Sequence, residues 1–329
     1  MRAVVVEEYG GPEVLRPREV PEPQAGPGEV VVDVAVAPID FVQTQLRRGF
    51  TPGPPLPEVP YIPGSGVAGR VRAVGEGVPA GLVGTRVLGR TPGQVGGNAE
   101  RAVAVAASLI PVPDGVSLAE AAALQSDGST AIGLVAGAGV GAGEFVLVEA
   151  AAGGLGSLLV QLSLAAGARV VGAARGEAKL AAVRKLGAEA AIDYSRPDWA
   201  EEARAATGDA GFDLVFDGVG GEIGRTGFGL VARGGRFSVH GASSGAATEV
   251  APALAAERGV AVLPLSQLFG FGAHTQERTR RALEEAAAGR LIPLIGATLP
   301  LDRAAEAHAA MEARTVVGKT LLVVGEDPA

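Results

Sequence analysis

The 329-residue sequence contains no cysteine. That one absence excludes disulfides, thiolate metal sites and a cysteine nucleophile, and it suits a reducing compartment such as the cytoplasm. Histidine is scarce as well. His240, His274 and His308 are the only imidazoles, and none shows the i, i+4 spacing of a helical metal pair, so no metal site is expected. Positive charge is in deficit, with 28 Lys and Arg against 36 Asp and Glu, and the chain lacks the basic footprint of a nucleic-acid binder. Long apolar runs are missing too. None reaches the ~18 residues of a spanning helix, and the nearest, around 129–142, is broken by glycines. The N-terminus meets Glu7 and Glu8 after four apolar residues, too few for a signal-peptide core. The expectation is a cytoplasmic protein with neither a membrane nor a nucleic-acid partner.

What is present is ample core-forming material: 47% hydrophobic against 19% charged residues, over a length that suits two domains. Through residue 120 the chain reads as β-rich, with valine runs such as "EVVVDVAVA" (29–37) and "GVAGRVRAVG" (66–75) between Pro/Gly clusters. From Glu144 the pattern changes to strand and helix in alternation. The strands are "EFVLVEA", "ARVVGAA", "EAAIDY", "FDLVFDG", "GRFSVHG" and the apolar run "GVAVLPL". Such alternation requires crossover connections, hence a doubly wound parallel sheet covered by helices on both faces. Beyond about residue 264 a polar-faced helix and a final apolar run, "KTLLVV", add too little for a third domain. This tail is expected to return to the N-terminal part, making that domain discontinuous.

Between the first of these strands and its helix lies "AAAGGLG". The fingerprint is incomplete, since Ala151 stands where the first glycine of G-x-G-x-x-G belongs. In this context Gly153, Gly154 and Gly156 allow backbone N–H groups and a helix N-terminus to approach a pyrophosphate, although a plain strand-to-helix turn has the same residues. About 20 residues on, the second strand should end in an acid that grips a ribose 2′-OH. It ends instead in Ala174 and Arg175, with Lys179 one turn later. Missing acid and added cations suit a 2′-phosphate, hence NADPH over NADH, while Glu177 weakens that inference and a solvated helix start would look the same.

Other motifs fail on context. "GASSG" (241–245) matches a nucleophile elbow, but no helix opens directly after Ser243. "GKT" (318–320) lacks the glycine of a P-loop, Ala313 standing in its place. None of Tyr9, Tyr61 and Tyr194 is followed four residues later by lysine, which removes the usual short-chain dehydrogenase acid.

Taken in order, "APIDFVQTQLRRG", "PGSGVAGRVRAVGEGV", "GNAERAVAVAASLIPVPDGVSLAEAAAL", "DGSTA", "AAAGGLG", "LGAEAAIDY", "FDLVFDGVGG", "GGRFSVHGASSG" and "VVGKTLLV" resemble the medium-chain dehydrogenase/reductase superfamily, in its zinc-independent quinone oxidoreductase branch. The resemblance covers nearly the full length. It implies a GroES-like catalytic domain from 1–122 and 265–329 and a Rossmann NADPH-binding domain over 123–264. Thr130 is then expected near the carboxamide end of the cofactor, Gly153, Gly154 and Leu155 on the pyrophosphate, and Ala174, Arg175, Lys179 and Tyr194 around the adenosine 2′-phosphate. Val219, His240, Gly241 and Ser243 would follow the ribose and nicotinamide. Asp40 would line the nicotinamide end, and Phe269 and Lys319 would close over the cofactor from the tail. Zinc-dependent relatives carry Gly-His-Glu where this chain has Gly64, Ser65 and Gly66, and the family asparagine before proline is Ala37 here. Catalytic zinc is not expected.

The reaction implied is hydride transfer to a quinone or an α,β-unsaturated carbonyl. Charge developing on the substrate oxygen needs a donor, for which Thr130 and Thr44 are the candidates, with Tyr61 behind them. Asp40, acceptor-only when ionised, would organise its loop. Phe41, Gln43, Leu268 and Phe269 are expected to line a pocket for a substrate with a hydrophobic body. Two alternatives stay open: enoyl-thioester reduction, with Arg47 and Arg48 as a basic entrance unless they lie on a solvated loop, and an NADPH-binding protein with little turnover. The last sheet strand offers an edge for a homodimer.

Overall fold

The computed structural model describes residues 1–51 and 56–325. The chain divides into two units: Met1–Ser126 with Thr279–Ala329, and Asp127–Arg278.

The first unit opens with β1 (Arg2–Val6), paired antiparallel with β2 (Leu15–Glu19). Next come β3 (Glu29–Ile39), α1 (Phe41–Arg47), β4 (Gly66–Val74), β5 (Arg86–Arg90), β6 (Arg101–Val105) and β7 (Ile110–Pro111). The valine run of β3 is almost wholly buried, which is what a central strand covered on both faces demands. It pairs with β4 and β6. α2 (Leu118–Ala138) contains the division at 126/127 and takes up the apolar stretch noted above as far as Ala138.

The second unit holds β8 (Phe145–Glu149), α3 (Gly154–Ala165), β9 (Arg169–Ala174), α4 (Glu177–Lys185), β10 (Ala190–Asp193), α5 (Trp199–Ala205), β11 (Phe212–Asp217), α6 (Gly221–Leu230), β12 (Val231–Val239), α7 (Pro252–Arg258) and β13 (Ala261–Leu263). Its sheet runs β10-β9-β8-β11-β12-β13 with every pairing parallel. Numbered by appearance this is the 3-2-1-4-5-6 order of the doubly wound nucleotide-binding fold. The expected fold class is therefore present, with β8 and β11 adjacent where the order reverses.

The sequence reading began the returning segment at residue 265, whereas the division lies after Arg278. Residues 265–278 are held by the second unit: the Gln267 amide donates to the Val239 and Leu263 carbonyls, and Ser129 Oγ donates to the Thr275 carbonyl. The chain then returns through α8 (Thr275–Ala287), β14 (Ile295–Pro300), α9 (Ala304–Glu312) and β15 (Lys319–Val323). β15 pairs antiparallel with β3 and parallel with β14, completing the larger sheet of the first unit.

One contact between these segments overturns an expectation. Arg47 is neither on a solvated loop nor at an entrance: its side chain is fully buried at the end of α1 and hydrogen-bonds Glu312 of α9. Burial pulls its guanidinium below the usual value, and Glu312 opposes that. Glu312 also takes Arg48 Nη2 at 3.0 Å. The partners are therefore unequal. Glu312→Ala leaves a buried cation without its counter-charge and should cost about 3 kcal/mol or more, while Arg47→Met fills the volume and leaves Glu312 with Arg48, costing less than about 1 kcal/mol. Thermal unfolding of the two variants followed by circular dichroism checks the order, and equal losses would contradict it.

Candidate functional site

The C-terminal edge of the parallel sheet gathers most of the cofactor residues read from sequence. β8 ends at Glu149, Ala150 turns with φ 51°, and Gly153 caps α3 without any side-chain hydrogen bond. The helix begins at Gly154, inside the glycine loop that the sequence reading placed before it, so Gly154 and Leu155 form its first turn. First-turn N–H groups have no intrahelical acceptor and sit at the positive end of the helix dipole. Gly156 is required for packing: a Cβ there would lie 2.2 Å from the Ala150 carbonyl oxygen.

At the end of β9, Ala174 is buried and Arg175 exposed, followed by Gly176 at φ 82° and by Lys179 in the first turn of α4. An acid does stand here, one strand over. Asp193 ends β10 in register with Ala174. Burial works against its charge, but hydrogen bonds from Ser195 and the Gly176 N–H, with Arg175 beside it, outweigh burial and hold the carboxyl below the ordinary range. Both oxygens are used, Oδ2 by Gly176 at 3.0 Å and Oδ1 by the Ser195 N–H and hydroxyl at 2.9 and 2.6 Å. Counting from the glycine loop to the second strand missed this residue because it closes the third. Tyr194, next to it, is half-buried against the apolar core of the unit.

Past β11 and β12 two loops are stitched together. Asp217 Oδ1 accepts the Val219 and Gly220 N–H groups at 2.9 and 2.7 Å, and its carbonyl accepts those of His240 and Gly241. Ser244 N–H donates to the Val219 carbonyl. A Cβ on Gly241 would lie 2.4 Å from the Gly218 oxygen, so the loops meet backbone to backbone. Ser243 lies in this segment, with no helix behind it. His240 is buried edge-on to Phe216, and burial takes its pKa down to about 4 against the pull of Asp217. Thr130 is half-buried on α2 and, among the described residues, its hydroxyl has no protein partner. Leu268 is half-buried, and Phe269 is 70% exposed.

The remaining predicted residues are in the first unit. Asp40 precedes α1 and receives the Lys319 ammonium, itself 5% exposed, so these two are brought together as an ion pair. Phe41 lies under the Arg314 guanidinium, 4.2 Å from its ring centroid. Gln43 is buried with its amide on the Pro38 carbonyl. Thr44 does not present a donor: it is 2% exposed and its single proton goes to the Phe41 carbonyl at 2.7 Å. Tyr61 is a core residue bridged to Val6, its phenol pushed up to about 12 by burial, and it lines a recess of about 570 Å³ with Val5, Pro60, Ile62 and Val95. Ala37 is fully buried in β3 opposite Leu322.

Residues 26–114 match the alcohol dehydrogenase GroES-like domain and residues 154–288 the zinc-binding dehydrogenase family. A quinone oxidoreductase of Pseudomonas aeruginosa is 32% identical over 320 residues, covering 96% of this chain and 97% of that protein. The chain belongs to the medium-chain dehydrogenase/reductase superfamily, in its quinone oxidoreductase-like branch. It is thus an enzyme of a family of NADPH-dependent oxidoreductases. A 2-haloacrylate reductase from a Burkholderia species is 31% identical over 98% of both chains. The Escherichia coli quinone oxidoreductase, solved in complex with NADPH, matches with a TM-score of 0.88 at 28% identity, over 98% of this chain and 100% of that one. Membership agrees with the observed sheet order and with the uncapped α3 at its centre.

His240 gives a pH test of this edge. Its folded pKa is depressed below that of a free imidazole, so its contribution to stability is present above about pH 6.5 and is lost as pH falls towards about 4. Trp199 is the single tryptophan and reports on the second unit. The His240 contribution to stability in urea unfolding followed by Trp199 fluorescence should fall by up to ~1.4 kcal/mol per pH unit between about pH 6 and about pH 5, and His240→Gln should lower the observed slope by about that amount. An unchanged slope in the variant would refute the assignment.

Proposed function

We propose that this enzyme is an NADPH-preferring, zinc-independent reductase that passes hydride to a quinone or an α,β-unsaturated carbonyl carrying a hydrophobic body. The observation that carries the NADPH preference is the end of β9. Arg175 is exposed where an acid would stand in an NADH site, and the nearby Asp193 has both oxygens turned to Gly176 and Ser195. A 2′-phosphate therefore meets Arg175 and Lys179, and the uncapped first turn of α3, at Gly154 and Leu155, suits the pyrophosphate. When bound, the cofactor supplies the hydride from its nicotinamide C4. The protein's task is to hold that carbon and to stabilise the oxyanion that forms, for which the Thr130 hydroxyl is the proposed donor.

Support for a zinc-free reaction comes from the donor set. Ser65 stands between Gly64 and Gly66, the chain has no cysteine, and among the described residues no three His, Asp or Glu are grouped to hold an ion. Thioester reduction is less well supported, because burial of Arg47 leaves Arg48 alone of the two entrance cations. A homodimer through β13, the edge strand of the parallel sheet, is also proposed. No helix among the described residues is long and apolar enough to cross a membrane.

Mixing the protein with NADPH and a panel of quinones, enones and enoyl thioesters, and following cofactor absorbance, tests the reading. Turnover on quinones or enones that survives a strong chelator is expected, and no oxidation across the panel would refute it. Arg175→Ala combined with Lys179→Ala should raise the KM for NADPH about tenfold or more while leaving that for NADH within about twofold. Equal changes for both cofactors would refute the 2′-phosphate site.

A further inference from the structure

Beneath the two stitched loops lies a pair of carboxyl groups that the reaction as described does not use. Glu149 ends β8 and Asp217 ends β11. Val148 and Phe216 are in register in the parallel pairing of these strands, so the next residues stand abreast at the point where the sheet order reverses. Both side chains are completely buried. α6 makes the space for them with two glycines one turn apart. A Cβ on Gly227 would lie 2.1 Å from Glu149 Oε1, and one on Gly224 would lie 2.5 Å from Asp217 Oδ2.

The two carboxyls have different surroundings. Asp217 Oδ1 accepts two backbone N–H groups, from Val219 and Gly220. Among the described residues Glu149 meets no donor from backbone or side chain, and it faces Asp217. Two buried carboxyl groups that face each other are not both ionised. We infer that Glu149 carries a proton and donates it to Asp217 Oδ2, and that this shared proton holds the 217–221 loop in place for the cofactor. The inference rests on the NADPH reading above. Glu149 is a positioning residue that acts through Asp217, not a catalytic residue.

The charged groups around the pair are few. β11 contributes Asp217, and the segment after β12 contributes His240, which is neutral. β9 presents Ala173 in register with Glu149, α6 presents glycine, and Thr248 adds a hydroxyl near Gly224. Burial, then the Asp217 charge, raises the Glu149 carboxyl well above its ordinary value. The stabilisation it gives is therefore present at low and neutral pH and lost as pH rises through that raised value, when the O–H bond breaks and the proton leaves to water. Two facing carboxylates then repel, and the loop held by Asp217 Oδ1 is no longer fixed.

Two measurements test this, with Trp199 fluorescence confirming that each variant is folded. In cofactor-free protein at neutral pH, infrared spectra should show a protonated-carboxyl C=O stretch that Glu149→Gln lacks, and absence of the band from the wild type overturns the inference. NADPH binding, followed by cofactor fluorescence, should weaken about tenfold or more in the wild type between about pH 7 and about pH 10. Glu149→Gln keeps an N–H donor for Asp217 and cannot ionise, so its profile should be flat. Glu149→Leu leaves Asp217 Oδ2 buried without a donor and should bind about tenfold more weakly than Glu149→Gln at neutral pH. A Glu149→Gln profile that falls like the wild type, or equal binding by Glu149→Gln and Glu149→Leu, overturns the positioning role. A wild type that shows the band but binds no NADPH at any pH overturns the functional reading while the shared proton stands.

Discussion

The second unit depends on β8 and β11 lying side by side in parallel while their outgoing connections leave in opposite directions. Such a reversal opens a crevice at the C-terminal ends of the two strands, because no crossover fills the space between them. Here the constraint brings together segments that begin at residues 149 and 217, and a third that follows β12 at 240. Close approach then dictates composition. Gly156 sits against the Ala150 carbonyl and Gly241 against Gly218, positions at which a methyl group would overlap backbone. These two glycines answer to steric demand, whereas Gly176 at the same edge and many others in the chain have open space around them.

The first unit is organised by charge pairs that close over long stretches of chain. Lys319 reaches Asp40 across 279 residues of sequence, and Arg47 reaches Glu312 across 265. Together they fix both ends of α1, and Arg314 lies on the Phe41 ring between them. Each cation is nearly or completely buried, so each depends on its counter-ion for compensation of lost hydration. The helix that bears Phe41, Gln43 and Thr44 is thus positioned by the last quarter of the chain. The same burial explains why Thr44 turns its proton to its own helix and why Tyr61 sits in the core.

Polar groups at the sheet edge are settled by local hydrogen bonding, with three different outcomes. Asp193 is ionised because Gly176 and Ser195 donate to it. His240 is neutral because burial outweighs the nearby Asp217. Glu149, with only another carboxyl to face, retains a proton. Residue type predicts none of these states, since each follows from the donors within reach.

The fold class was legible in the sequence because alternation of apolar runs and helical segments is a local property, and six such runs allow few topologies. Arg175 was legible for the same reason: its place at a strand end follows from counting. The exact start of α3 was not, because glycine weakens any helical signal while the neighbouring strand and the Ala150 turn decide where the first turn forms. Asp193 was missed because its neighbour across the sheet is set by register between strands, and Arg47 because its partner lies 265 residues away. By itself the sequence determined a doubly wound sheet and a glycine-bearing turn after its first strand, both carried by periodicity and composition. Only the tertiary structure decided which cations are buried, which acids are satisfied and which carboxyl keeps its proton, because those depend on through-space partners that no local pattern encodes.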